Sequence, residues 1–426
     1  MPPADRSRRD VLKAAVAAGS TAALAACLDL ADDDPPRGDP SSKPARQHAW
    51  NDHVRTDEHG NVELPRHQTL LYLSLDRDGP PTEADRETVE RAFSVLDEAY
   101  EWSSDGLLFS AAYSPAYFER FDAPLAGVDL PRPEPLSPFE DPVFDEQDAL
   151  VHLASDRAVV ALEAEHALTG GTDDANGVSV DATLTDALSV DSRRTGFVGS
   201  GLPAEHQDAA GIPDSEPVPE DAPLFMGFTA GFRENQASED GVTLQSGPFA
   251  GGTTKVVANL RQRLEDWYGE QDYEERVMEL FSPGHAADDL VEGVGNNLGA
   301  NSRVDEYVGD LAGHAREYGR VGHAQKAARA NRDKDGNVRV LRRHFESTDD
   351  VGSDRRVASL HFPSLQREVS TFEDVRAAMN GTDVAESSPA VRQRVNNGIL
   401  EYVFVRRRGY FLVPPRESRS LPVPNP

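Results

Sequence analysis

Three short stretches of this 426-residue chain combine residue types that can carry chemistry. Gly231-Phe232-Arg233-Glu234-Asn235-Gln236 puts a carboxylate in a glycine-led loop, His323 opens HAQKAARAN, and Arg342-Arg343-His344 begins nineteen residues after His323. A neutral imidazole has a lone pair to offer a metal. A carboxylate takes up and returns a proton, and a guanidinium keeps its charge throughout. The segment from His323 to Phe345 carries seven Lys/Arg against two acids, in a chain with 74 acids, 43 bases and a formal net charge of -31. Each residue also has an ordinary reading. A lone His is more often a surface or core polar residue, Glu234 a solvated loop acid, and Arg342-Arg343 a charged strand edge.

The elements that must position these residues follow from periodicity. Thr69–Leu75 reads as a buried strand, and Val89, Ala92, Phe93, Leu96, Ala99 and Tyr100 fall at helical spacing behind it. Gly106–Ser114 and Ala149–Ala154 read as strands and Ala158–Leu168 as a helix, which is the β-α-β-β-α order of a ferredoxin-like half. Residues 170–220, acidic and rich in Gly and Pro, read as a long connection. The second half starts at PLFMGFTAGF and continues through the strand-like GGTTKVVANL, a polar helical region through Leu280, and a strand at Val357–Leu365. A helix capped by Thr371 and stopped by Gly381 comes next, then a terminal pair of strands around the basic turn in EYVFVRRRGYFLV. The expected fold class is α+β: two ferredoxin-like halves, antiparallel sheets packed with helices, of the dimeric α+β barrel kind. The expected boundaries are 66–220 for the N-terminal half with its connection and 221–426 for the C-terminal half.

Residues 1–27 read as an address. Arg8-Arg9 precede a short Ala-rich apolar run, the pattern of a twin-arginine export signal, and the run ends Leu24-Ala25-Ala26-Cys27, which resembles a lipobox. Cys27 is the only cysteine. It would become a lipidated N-terminus, leaving the protein anchored to the membrane at the cell surface. Residues 28–65, rich in Asp, Pro, Ser and His, read as a disordered acidic tether. Five lysines among so many acids resemble the composition of proteins from salt-loving archaea. The same charge excess argues against a nucleic-acid partner, because phosphates repel such a surface.

The order and spacing of the three chemical stretches are similar to those of the dye-decolorizing peroxidases, a haem family built from two ferredoxin-like halves. In that family a GxxDG motif supplies a distal Asp, a later His binds the haem iron, and an Arg about eighteen residues on faces the distal side. The C-terminal YFLVPP also resembles the family's ending. The resemblance implies haem b as cofactor and His323 as axial ligand of its iron. It implies Glu234 and Arg342 on the distal side and His344 as a polar distal residue. Arg329, Arg332 and Arg343 become candidates for pairing the propionates. The implied activity is an exported haem peroxidase that reduces hydrogen peroxide and oxidises an unspecified donor, with homo-oligomers through sheet faces. The motif departs from the family at Glu234-Asn235, where Asp-Gly is usual.

Alternatives stay open at this level. His314 is the rival ligand, Asp240 the second candidate acid, and Trp267-Tyr268 a pair that could pass oxidising equivalents outward. A haem-binding or haem-handling lipoprotein without peroxidase activity and a haem-free scaffold of the same fold are the other functional readings. With Cys27 the only cysteine, thiolate metal sites and Cys nucleophiles are absent. There is no HExxH, Walker loop or GxSxG. Asp333–Asn337 mimics a calcium loop but reads as a tight hairpin turn at Asp335-Gly336. Asn380-Gly381-Thr382 is a glycosylation sequon.

Overall fold

A computed structural model describes residues 34–349 and 356–426; Arg8, Arg9 and Cys27 lie outside them. The strands among the described residues are β1 (His67–Leu75), β2 (Leu108–Tyr113), β3 (Val143–Phe144), β4 (Ala149–Ser155), β5 (Asp174–Ala175), β6 (Val178–Ser179), β7 (Leu188–Phe197), β8 (Thr253–Gln262), β9 (Leu341–Arg342), β10 (Phe345–Asp349), β11 (Arg356–Gln366) and β12 (Val403–Val413). Four helices matter below: α1 (Glu83–Ala99), α2 (Ala158–Thr169), α3 (His323–Ala328) and α4 (Val369–Asn380).

The strands run β7-β1-β4-β2-β12-β8-β11-β10, and β10 pairs back to β7, closing an antiparallel barrel. Within each set of four the strand order is the same, 4-1-3-2, which is the ferredoxin-like arrangement. Two α+β halves therefore share one barrel. Their joints are thin: Tyr113 against Leu412 on one side and Phe197 against Glu346 on the other.

Alternation along the strands divides the side chains. Leu70, Tyr72, Leu150, Val257, Phe345 and Phe411 pack inside the barrel. Leu71, Leu73, Val151 and Leu153 turn out against Phe93 and Leu96 of α1 and Val160 of α2. Fully burying one such side chain stabilises by about 1.5–3 kcal/mol. Thr82 and Asp85 form a reciprocal capping box at the start of α1. In the second half α4 lays Val369 and Phe372 on Val256 and Tyr410.

Three expectations change. The long connection contains β7, the fourth strand of the first half, hidden by its polar sequence LSVDSRRTGF. Its inward Arg194 is paired by Asp145, with Nη2–Oδ1 2.6 Å and Nη1–Oδ2 2.9 Å, so a cation sits in the barrel wall without breaking the strand. Within PLFMGFTAGF, where the second half starts, Phe225, Phe228 and Phe232 anchor irregular chain in a cluster with Trp267 and Phe281. The terminal pair of strands is a single strand, β12, bulged between Val405 and Arg407. Arg407 and Arg408 are paired by Asp145 and Glu140, so no turn is needed to place them in water. α4 starts at Val369 rather than at a Thr371 cap, and the Thr371 hydroxyl accepts from Arg339 Nη2 at 2.9 Å. Gly381 does end α4, at φ 60°. Gly336, at φ 85°, lies in the Asp333–Asn337 hairpin turn.

The tether expected over residues 28–65 does not hold for residues 34–65. Gln47 is fully buried where β2 and β12 meet through one residue pair. Its Nε2 donates to Ala111 O (3.1 Å) and Pro414 O (2.9 Å), and its Oε1 accepts from Ala111 N (2.9 Å). Trp50 follows it into the core at 3% exposure. His48 and Asn61 are buried as well, bonded to Thr243 and Gly299 O, but these anchors are scattered singly among polar residues, so composition does not reveal them.

Candidate functional site

His323 is the first residue of α3, a helix held from three directions. Gly322 lies so close under Phe281 that a Cβ there would come 1.9 Å from Phe281 O. Gln325 is fully buried and donates to Tyr307 O (2.5 Å) and His314 Nδ1 (3.0 Å). Lys326 Nζ donates to Met379 O, Asn397 O and Asn397 Oδ1 at 2.6–2.7 Å. The His323 imidazole itself, partly buried, has no hydrogen-bond partner among the described residues. Desolvation, followed by the charges of Lys326 and Arg342, pushes it down to about 3. It is therefore neutral across the physiological range, with its lone pair free.

The rival His314 is buried, its Nδ1 takes the Gln325 amide, and its ring stands beside Tyr307 and Tyr318. Its surroundings are those of a structural histidine.

Arg342 is placed by β9, whose partner is β11, and by Gln236. The Gln236 Oε1 accepts from Arg342 N at 3.1 Å and Nε at 3.3 Å. The outer nitrogens of this guanidinium have no acid and no hydrogen-bond partner among the described residues. Desolvation pushes it down to about 10, so it stays cationic at neutral pH. His344 is buried, stacks on Phe362 and leaves Nδ1 without a partner; desolvation, then Arg342, pushes it down to about 3. The charge of Arg342 contributes to holding both His323 and His344 low.

The other expected residues are not brought to it. Glu234 sits in a 3-10 turn with its side chain 51% exposed, and its Oε2 accepts from Asn301 Nδ2 at 2.9 Å. Arg343, one residue off in an extended segment, points the opposite way from Arg342. It is buried over Trp50, with Nη2 donating to Glu239 Oε1 and Asn51 Oδ1, both at 2.8 Å. Arg329 pairs Asp383 and donates to Ala378 O, and Arg332 pairs Asp305 and reaches Glu234 O at 3.5 Å. Asp240 is exposed and paired with Arg46. Trp267 and Tyr268 donate to Met226 O and Phe225 O as members of the core. The Asn380 amide of the sequon is engaged by Leu136 O at 2.8 Å.

Sequence reasoning missed Gln236, the residue that orients Arg342, although it ends the quoted stretch. It also missed Asn235 as a brace: Asn235 Oδ1 accepts from Ser302 N and Oγ at 2.8 Å, and its buried Nδ2 has no partner.

These residues fit haem on their chemistry. One neutral imidazole without a hydrogen bond can serve as an axial ligand, and an unpaired guanidinium nearby can face an anion. Among the described residues no cluster of His, Cys, Asp or Glu could hold a bare metal ion.

No curated protein matches the sequence. Among solved structures, the haem complex of a DypB variant from Rhodococcus jostii RHA1 aligns with TM-score 0.51 at 15% identity, covering 87% of this chain and 96% of that one. Another crystal form of DyPB from the same organism aligns with TM-score 0.51 at 15% identity, covering 84% and 95%. At such identity the likeness establishes the fold, that of the DyP-type peroxidases. A family model described as a family of unknown function, DUF7405, matches residues 65–415. With most of its length so matched, the chain belongs to the DUF7405 family and carries the DyP-type fold.

Proposed function

We propose that the protein binds haem b and acts as a peroxidase, reducing hydrogen peroxide at the expense of an electron donor. The observation that carries this reading is a His323 imidazole with no hydrogen-bond partner, together with an Arg342 guanidinium that has no acid partner among the described residues and whose charge acts on His323. His323 would hold the iron. Haem, when bound, supplies the redox chemistry. Arg342 would stabilise the negative charge that develops on peroxide oxygen, and its cationic state at neutral pH suits that role.

Peroxide cleavage also needs a group to take the proton from the near oxygen and return it to the leaving oxygen. Two residues compete for this work. Glu234 has the family's place in the motif, but its carboxylate is half exposed and turned to Asn301. His344 is neutral, beside Arg342, and has a buried Nδ1 without a partner. The exposure of Glu234 also favours a second reading: a haem-binding or haem-handling protein with little peroxide turnover. Export by the twin-arginine route and a lipid anchor at Cys27 are part of the proposal and rest on Arg8, Arg9 and Cys27 in the sequence alone.

The test is the absorption spectrum of the protein produced with haem. A Soret band that disappears in His323→Ala supports the reading, and no band in the haem-replete protein ends it. Peroxide turnover that falls in Arg342→Leu supports a peroxidase; slow turnover unchanged in that variant favours haem binding alone.

A further inference from the structure

The barrel has a cavity at the end away from Arg342. The extended run from Arg342 to Asp349 places the two ends on the order of 20 Å apart. Strands β8, β11 and β12 build the cavity, with β3 and the chain at Ala210 as walls. Its volume is about 440 Å³, within the range that takes a small organic ligand.

Three arginines line this space. Arg407 Nε donates to Asp145 Oδ1 at 2.8 Å, and the same carboxylate already takes both terminal nitrogens of the fully buried Arg194. One acid is thus shared by two cations. Arg261 and Arg406 are exposed and have no hydrogen-bond or ion-pair partner among the described residues. The acids on the cavity among the described residues are Asp141 and Asp349, and Asp349 Oδ2 is occupied by Thr195 N and Oγ1 at 2.8 and 2.6 Å. With Arg194 and Asp145 behind the wall, four arginines stand against three aspartates among the described residues. Val143, Val357 and Ala210 add apolar surface to the same walls.

We propose that this cavity binds a small organic carboxylate, its anionic head held by Arg261 and Arg406 and its apolar body resting on Val143 and Val357. The planar guanidinium fork matches a carboxylate in two parallel hydrogen bonds. The site is separate from His323 and does not depend on bound haem.

The experiment is calorimetric titration of the full chain in low-chloride buffer with benzoate, benzyl alcohol and inorganic phosphate as probes. Benzoate is expected to bind saturably at one site and benzyl alcohol not to bind. Arg261→Gln/Arg406→Gln should weaken benzoate at least tenfold with an unchanged unfolding midpoint, since both side chains are exposed. Val143→Asp, 55% exposed at the wall, should weaken it as well. His323→Ala should bind benzoate like the parent chain. Absence of saturable benzoate binding, equal binding of benzyl alcohol, or unchanged affinity in the double variant overturns the proposal. Phosphate binding tighter than benzoate overturns the assigned class of ligand.

Discussion

Gln236 holds Arg342 by two bonds to one oxygen: its Oε1 accepts the Arg342 backbone N–H at 3.1 Å and the Nε–H at 3.3 Å. The side-chain bond uses the inner edge of the guanidinium and leaves the outer nitrogens for a ligand. Gln236→Leu should therefore misdirect Arg342 without removing it. We expect the Soret band of the haem-loaded protein to persist and peroxide turnover to fall about 10- to 100-fold, the cost of a misplaced catalytic group. Spectrum and steady-state rate, measured on the same sample, separate the two effects.

His344 and Glu234 make opposite predictions. If the proton is carried at His344, His344→Ala lowers peroxide turnover by about 100-fold or more while Glu234→Gln leaves it within about threefold. The reverse pattern would return the role to Glu234 and require its carboxylate to leave Asn301 when haem is bound. Soret intensity should be retained in both variants, because neither residue is placed as an iron ligand.

Gln47 closes a thin joint between the halves. Gln47→Ala strips partners from Ala111 N, Ala111 O and Pro414 O in a buried place. A destabilisation of about 2–4 kcal/mol is expected from unsatisfied buried groups, read from the midpoint of chemical denaturation. A disordered tether would give no change.

Glu346 supplies a pH dependence with a definite sign. Burial pushes its carboxyl up to about 8, against the weaker opposing effect of hydrogen bonds from Phe225 N and Gln262 Nε2. Its value in the unfolded chain is about 4.3. Between these values the folded state holds a proton that the unfolded state has lost. The stability this group contributes is therefore full below the unfolded value and declines as pH rises through about 8. Glu346→Gln, which keeps an acceptor oxygen, should flatten the fall in unfolding free energy between pH 5 and about 8. An unaltered slope would place that titration elsewhere, for instance at Glu279, also pushed up to about 8 by burial.

Much of the α+β character was legible in the chain itself. Alternation marked β1, β2, β4 and β11, helical spacing marked α1 and α2, and Gly381 marked the end of α4, because each of these signals is local. β7 was not legible, since its inward position is an arginine whose partner, Asp145, lies 49 residues away in sequence. Residues 34–65 were read as tether for the same reason: the Gln47 side chain finds its partners only across a barrel joint.

The chemistry divides along the same line. The sequence by itself determined that an imidazole, a carboxylate and a pair of guanidiniums occur in a fixed order and spacing, since residue type and separation are one-dimensional facts. Only the tertiary structure decided which of them meet. Strand alternation sent Arg342 and His344 one way and Arg343 the other. Packing on Phe281 and Asn397 fixed the helix that carries His323, and the turn at Arg233–Asn235 left Glu234 in contact with water. Burial then set the charge states of His323 and Arg342, because desolvation acts on a group only where the rest of the chain surrounds it.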